Sequence, residues 1–102
     1  MMFLVFEECT YKDGNHVSDC TNCRLEWLAT VKHFQKKGKV VAHYDFKEHK
    51  GGITIYETAS REELDQLLAE HPDLECKMDR RINELVDLEE AIERFSHRIV
   101  TG

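Results

Sequence analysis

Apolar residues fall along this chain in short β-like runs and in longer stripes at helical spacing. Residues 2–8 read as a first strand, with Phe3 and Val5 on one face and Leu4 and Phe6 on the other. A strand that is hydrophobic on both faces is covered on both faces. Residues 9–19 carry the turn signal Asp13-Gly14-Asn15 and predict a loop. From a cap at Ser18 or Asp19, the positions Trp27, Leu28, Val31 and Phe34 repeat at helical spacing as far as Lys37. Lys32, Lys36 and Lys37 suit the negative end of that helix, and Gly38 suits the left-handed residue that closes it.

The best punctuated stretch follows, from Lys37 to His71. Val40, Val41, Ala42, Tyr44 and Phe46 form one β-rich run, and Ile53, Thr54, Ile55 and Tyr56 form a second. Between them a charged connection is closed by Gly51 and Gly52, adjacent glycines able to take the positive φ of a hairpin. Ser60-Arg61-Glu62-Glu63 is a capping box for a second helix carrying Leu64, Leu67 and Leu68. Pro72 disfavours helical geometry before it and ends that helix at His71. A fourth strand is expected from Leu74 to about Leu85, with Leu74, Cys76, Met78, Arg80 and Ile82 on one face. A last helix over residues 87–99 has the narrow stripe Leu88, Ile92, Phe95 and Ile99, suited to packing or to a partner.

The order β-α-β-β-α-β with an extra C-terminal helix predicts a single ferredoxin-like α+β domain over residues 1–102. Two helices cover one face of such a sheet. The other face also carries apolar residues, at Leu4 or Phe3, at Val41 or Val40, and at Tyr56 or Ile55. Another subunit's sheet is the simplest cover, which predicts a homodimer or a larger homo-oligomer.

Residues 38–72, GKVVAHYDFKEHKGGITIYETASREELDQLLAEHP, resemble the dimeric α+β barrels, and within them the muconolactone isomerase-like group. Gly38, the strand Thr54-Ile55-Tyr56-Glu57, and Ser60, Glu63, Leu64, Leu67 and Leu68 carry the resemblance. It implies a dimeric α+β barrel with a small-molecule pocket. For the isomerases proper it implies proton relocation on an unsaturated lactone, with no cofactor required.

Composition changes the picture in two places. The formal net charge of −6 leaves no basic cluster able to neutralise phosphates, so nucleic acid is not an expected partner. No apolar run approaches the roughly 20 residues of a membrane span. The apolar start runs into Glu7-Glu8 without a basic leader region, so a strand and a cytoplasmic location are expected.

The chain has 4 cysteines. In a cytoplasmic chain these point to thiols or a metal before structural disulfides. Cys20 and Cys23 form a CxxC pair at a helix start, where the helix dipole favours thiolate. In a ferredoxin-like sheet the first and fourth strands are neighbours, which brings Cys9 towards Cys76. Cys9, Cys20, Cys23 and Cys76, with His16, could then hold zinc or iron at one edge, act as a redox dithiol, or simply pack in the core.

The second constellation is acid–base. His43 and Asp45 share a face of the second strand, Tyr56 or Glu57 lies across the hairpin, and Glu7 and Glu8 sit on the first strand. A histidine beside a carboxylate, on a sheet face closed by a partner, suits proton transfer near neutral pH; it equally suits a polar dimer interface. His33, His49, His71 and His97 are expected to be solvated. Three functions remain: a small-molecule-binding protein or cofactor-free isomerase using His43, Asp45, Tyr56 and Glu7; a metal or thiol protein; and an assembly module without catalysis.

Overall fold

A computed structural model of the chain describes residues 1–10, 21–48, 50–72 and 77–101. Strand β1 (Met2–Thr10) is followed by helix α1 (Thr21–Lys36), strands β2 (Val40–Asp45) and β3 (Gly51–Glu57), helix α2 (Arg61–Ala69), strand β4 (Lys77–Leu85) and helix α3 (Leu88–Thr101). The strands form one antiparallel sheet in the order β2-β3-β1-β4. Ser18, Asp19, Leu74 and Cys76, expected at element starts, lie outside the described residues.

Local chemistry sets the ends of the helices. Gly38 adopts φ 75° just past α1. The Lys39 N–H then reaches Phe34 O at 2.9 Å and the Gly38 N–H reaches Gln35 O at 3.1 Å, the two bonds of a Schellman motif. At the start of α2, Ser60 Oγ accepts from the Glu63 N–H at 3.1 Å. Glu63 reaches back to the Ala59 N–H at 3.3 Å and also accepts from Lys39 Nζ at 3.0 Å. The capping box therefore forms, with its return bond one residue earlier than the usual pattern.

The core lies between the helices and one face of the sheet. Trp27, Val31 and Phe34 of α1 and Leu64 and Leu68 of α2 pack on Phe3, Val5, Val40 and Tyr56, all of them buried. The opposite face has no helix on it among the described residues. Leu4, Phe6, Ile53 and Ile55 are only half-buried there, and Val41 and Tyr44 are 49% and 67% exposed. Some of this surface is partly shielded from within: the Phe6 and Phe46 rings lie 5.5 Å apart, and Arg81 sits 4.8 Å over Phe6. Helix α3 likewise leaves Leu88, Ile92 and Phe95 exposed.

One irregularity decides the location of the chemistry. The register between β2 and β3 shifts between Val40 and Ala42. A β-bulge places an extra residue in one strand and reverses the alternation beyond it. Val40 faces the core, and after the bulge His43 and Asp45 fall on the same side of the sheet as Val40, His43 half-buried and Asp45 exposed. Simple alternation would have aimed Ala42 and Tyr44 there. His43 and Asp45 therefore lie on the helix-covered face, and the expectation that a partner closes their face is corrected.

Candidate functional site

The pairing registers line up side chains in rows across the helix-covered face. One row runs Arg80, Glu7, Gly52, Asp45 over β4, β1, β3 and β2; the next runs Ile82, Val5, Thr54, His43; a third runs Glu84, Phe3, Tyr56, Val40. Glu7, His43, Asp45 and Tyr56 thus share the face on which α1 and α2 pack, with Asp45 exposed at its margin. The backbones of Glu7 and Asp45 lie about 10 Å apart, two interstrand spacings.

Gly52 sits between the two carboxylates. A Cβ there would come within 3.1 Å of both Asp45 Cα and Asp45 Oδ1 and would collide with the Tyr44 carbonyl. The bare backbone gives the Asp45 side chain its place. Asp45 Oδ1 accepts from Arg24 Nη2 at 2.5 Å and lies 2.5 Å from His43 Nε2. Arg24 also reaches Gly51 O at 3.3 Å and stacks its guanidinium 4.6 Å from the centre of the Trp27 ring.

The other nitrogen of His43, Nδ1, lies 2.7 Å from the hydroxyl of Thr54, which is 1% exposed. With Nε2–H donated to Asp45, Nδ1 accepts the Thr54 hydrogen. Both imidazole nitrogens are thereby engaged within the protein. His43 is held in place by this chain, and it presents no lone pair to a ligand in that arrangement.

Glu7 differs. It is 2% exposed, and Arg80 donates from both Nε (3.0 Å) and Nη2 (2.7 Å) to a single carboxylate oxygen, Oε2. Oε1 is buried and has no hydrogen-bond partner among the described residues. A buried anionic oxygen without a partner is costly, and such atoms are concentrated where chemistry or binding occurs.

A further group joins the site that the sequence reading placed in solvent. His71 is 9% exposed. It stacks on Trp27 at 4.7 Å between ring centres, meets the edge of Phe34 at 5.6 Å, and places Nε2 3.0 Å from Tyr56 Oη. Its Nδ1 is the other buried side-chain atom without a partner among the described residues. The signal was present in the sequence: position 71 continues the stripe of Leu64, Leu67 and Leu68 one turn further. His33, by contrast, is exposed as expected, while His49 and His97 lie where no side chain is described.

Burial, reinforced by the electrostatic influence of Arg80 and His43, pushes His71 down to about 4 from an ordinary value of 6.5. Burial first, and then the Glu7 carboxylate, raise Tyr56 above the usual phenol range against the opposing pull of Arg80. Both groups are therefore uncharged at neutral pH. A histidine depressed on folding contributes stability that is complete above pH 6.5 and is lost as pH falls through 4. Tyr56, Trp27 and Phe34 pack on the ring and cannot compensate its charge. Unfolding in urea from pH 7 to pH 4 is expected to show the wild type losing more stability than His71→Gln. Parallel curves for the two proteins would contradict this.

Cys9 is buried at 8% exposure and is disulfide-bonded, so it carries no thiolate for a metal in this state. That also differs from the expectation of free thiols. His16, Cys20, Cys76 and the Cys23 side chain lie outside the described residues. Among the described residues, no group of three or more His, Cys, Asp and Glu side chains is arranged to hold a metal ion, and no helix is long and apolar enough to cross a membrane.

Arg24, Arg80, Thr54, Trp27 and His71 are the site residues that sequence reasoning did not select. No protein-family model matches the chain, and no curated protein matches it in sequence.

Proposed function

We propose that this protein binds a small carbonyl compound and relocates a proton on it without a cofactor, as an isomerase of an unsaturated lactone does. The observation that carries the reading is Glu7, a carboxylate buried at 2% exposure whose Oε1 has no partner among the described residues, on a face shared with Tyr56, His43 and Asp45. In this scheme Glu7 Oε1 accepts a proton from the carbon beside the carbonyl. The electron pair delocalises to the carbonyl oxygen and the double bond shifts. Glu7 then returns the proton to the far carbon of the conjugated system, so atoms and electrons balance within one substrate. Arg80 orients Glu7, and the Arg24–Asp45–His43–Thr54 chain fixes the opposite end of the site.

The test is isomerisation of α-angelica lactone, a β,γ-unsaturated ring whose conjugated product absorbs in the ultraviolet. Wild-type protein is expected to turn it over, and Glu7→Gln, confirmed folded by circular dichroism, is expected to lose at least about 100-fold in rate. Equal rates for the two proteins, or no turnover by the wild type, would refute the proposal.

The same reading extends to assembly, as a ferredoxin-like half of a dimeric α+β barrel of the muconolactone isomerase-like kind. The half-buried Leu4, Phe6, Ile53 and Ile55 and the exposed Val41 and Tyr44 support it, since a second copy's sheet would cover them. Sedimentation is expected to give a dimer mass for the wild type and a monomer mass for the Tyr44→Lys, Ile55→Lys double variant. A monomer mass for the wild type across the micromolar range would overturn it.

A further inference from the structure

Helix α3 carries a surface that neither the sheet nor the candidate site uses. Leu88, Ile92 and Phe95 are 72%, 51% and 64% exposed, and Ile99 continues their line one turn further along the sequence. The line is a single residue wide at each turn. A helix that beds on a flat sheet needs a broader apolar face, whereas a line this narrow fits the seam between two helices. Beside it, Val86, Ala91, Arg94 and Phe95 line a groove of about 200 Å³, with room for a side chain from a partner.

We infer that α3 pairs side by side and antiparallel with α3 of a second copy of this chain. The contact is separate from the sheet face and from the chemistry at Glu7, and it depends on neither.

A symmetry in the sequence identifies the occupant. Turning α3 end for end about the point between Glu93 and Arg94 carries Leu88 onto Ile99 and Ile92 onto Phe95. The apolar line therefore meets a copy of itself in register. The same turn carries Glu89 onto Arg98 and Glu93 onto Arg94. The first half of the helix is acidic, through Asp87, Glu89, Glu90 and Glu93, and the second half is basic, through Arg94 and Arg98. An antiparallel pair sets each acidic half beside a basic one, and a parallel pair would set like halves together. The helix dipoles add to the same preference. A contact of this self-complementary kind closes after two copies.

Burial and charge have different tasks in the pair. The apolar line and the groove supply the area removed from water. The charges set the direction and exclude the parallel alternative. Area also limits the strength. α3 has 14 residues, so the strip it offers is about 21 Å long and about 10 Å wide. A footprint of that size falls well short of the roughly 800 Å² per partner of a stable interface. The pair is therefore weak, with an expected Kd of about 0.1–1 mM. At micromolar concentration it leaves the mass of the protein unchanged. At higher concentration, together with the sheet contact proposed above, it joins dimers into larger assemblies.

Sedimentation equilibrium from about 10 μM to about 1 mM tests this. The wild-type mass is expected to double over that range. Ile92→Glu, at an exposed position outside the core, is expected to keep its micromolar mass throughout. Charge tests the direction. A Glu89→Lys, Glu90→Lys, Glu93→Lys variant and an Arg94→Glu, Arg98→Glu variant, each confirmed helical by circular dichroism, should self-associate at least about 10-fold more weakly than the wild type. An equimolar mixture of the two should associate at least as tightly as the wild type does. No doubling by the wild type, doubling that survives Ile92→Glu, or a mixture no tighter than its components would overturn the inference.

Discussion

Arg80→Ala is expected to destabilise the protein by about 3 kcal/mol, the low end of the range for breaking a buried ion pair. The reason is asymmetric. Glu7 is 2% exposed, whereas the Arg80 side chain keeps 33% of its surface in water. Removing Arg80 leaves a carboxylate in the core with neither of its two guanidinium hydrogen bonds. Removing both charges together avoids that defect, so Arg80→Ala with Glu7→Leu is expected to recover more than half of the loss. An exposed pair gives the contrast. Arg61 and Asp65 meet at 3.1 Å with more than half of each side chain in water, and Asp65→Ala should cost below about 0.5 kcal/mol. Urea denaturation of the three variants measures all of this. A single-variant loss under about 1 kcal/mol at Arg80 would show that Glu7 finds another partner.

Trp27→Ala is expected to cost about 3–5 kcal/mol, the usual penalty for truncating a large buried aromatic. Trp27 is 2% exposed, belongs to the main core, carries Arg24 on its ring and stacks against His71. Its loss therefore opens a cavity and releases two side chains of the candidate site together. Domains of this size hold only about 5–15 kcal/mol in total, so the variant should be marginal. At roughly 4–8 °C per kcal/mol, the melting temperature should fall by more than about 12 °C. Circular dichroism is the appropriate probe, since the chain has a single tryptophan and the substitution removes its fluorescence. Trp27→Phe, which keeps a ring against His71, should recover a substantial part. A loss below about 1 kcal/mol for the alanine variant would mean that α1 can collapse into the space.

Much of this architecture was legible from one-dimensional pattern. Ser60 and Glu63 marked the start of α2, Gly38 marked the end of α1, and the two β-rich runs around Gly51 and Gly52 became a hairpin. These signals survive because each depends on neighbours within a few residues. The Glu7–Arg80 pair joins residues 73 positions apart, and only the β1–β4 register places them side by side. His71 was misplaced because the Pro72 that ends the helix says nothing about the direction of the side chain before it. The disulfide at Cys9 depends on spatial approach in the same way.

The sequence by itself determined the order of strands and helices, the apolar stripes that build the core, and the candidate residues Glu7, His43, Asp45 and Tyr56. The tertiary structure decided which surface those residues occupy. The bulge after Val40 turns His43 and Asp45 to the side of the sheet on which the helices pack, and the β1–β3 register sets Glu7 and Tyr56 on that same face. A single inserted residue reverses the two-residue alternation of a strand, and no local propensity records on which side of the insertion the functional groups will fall.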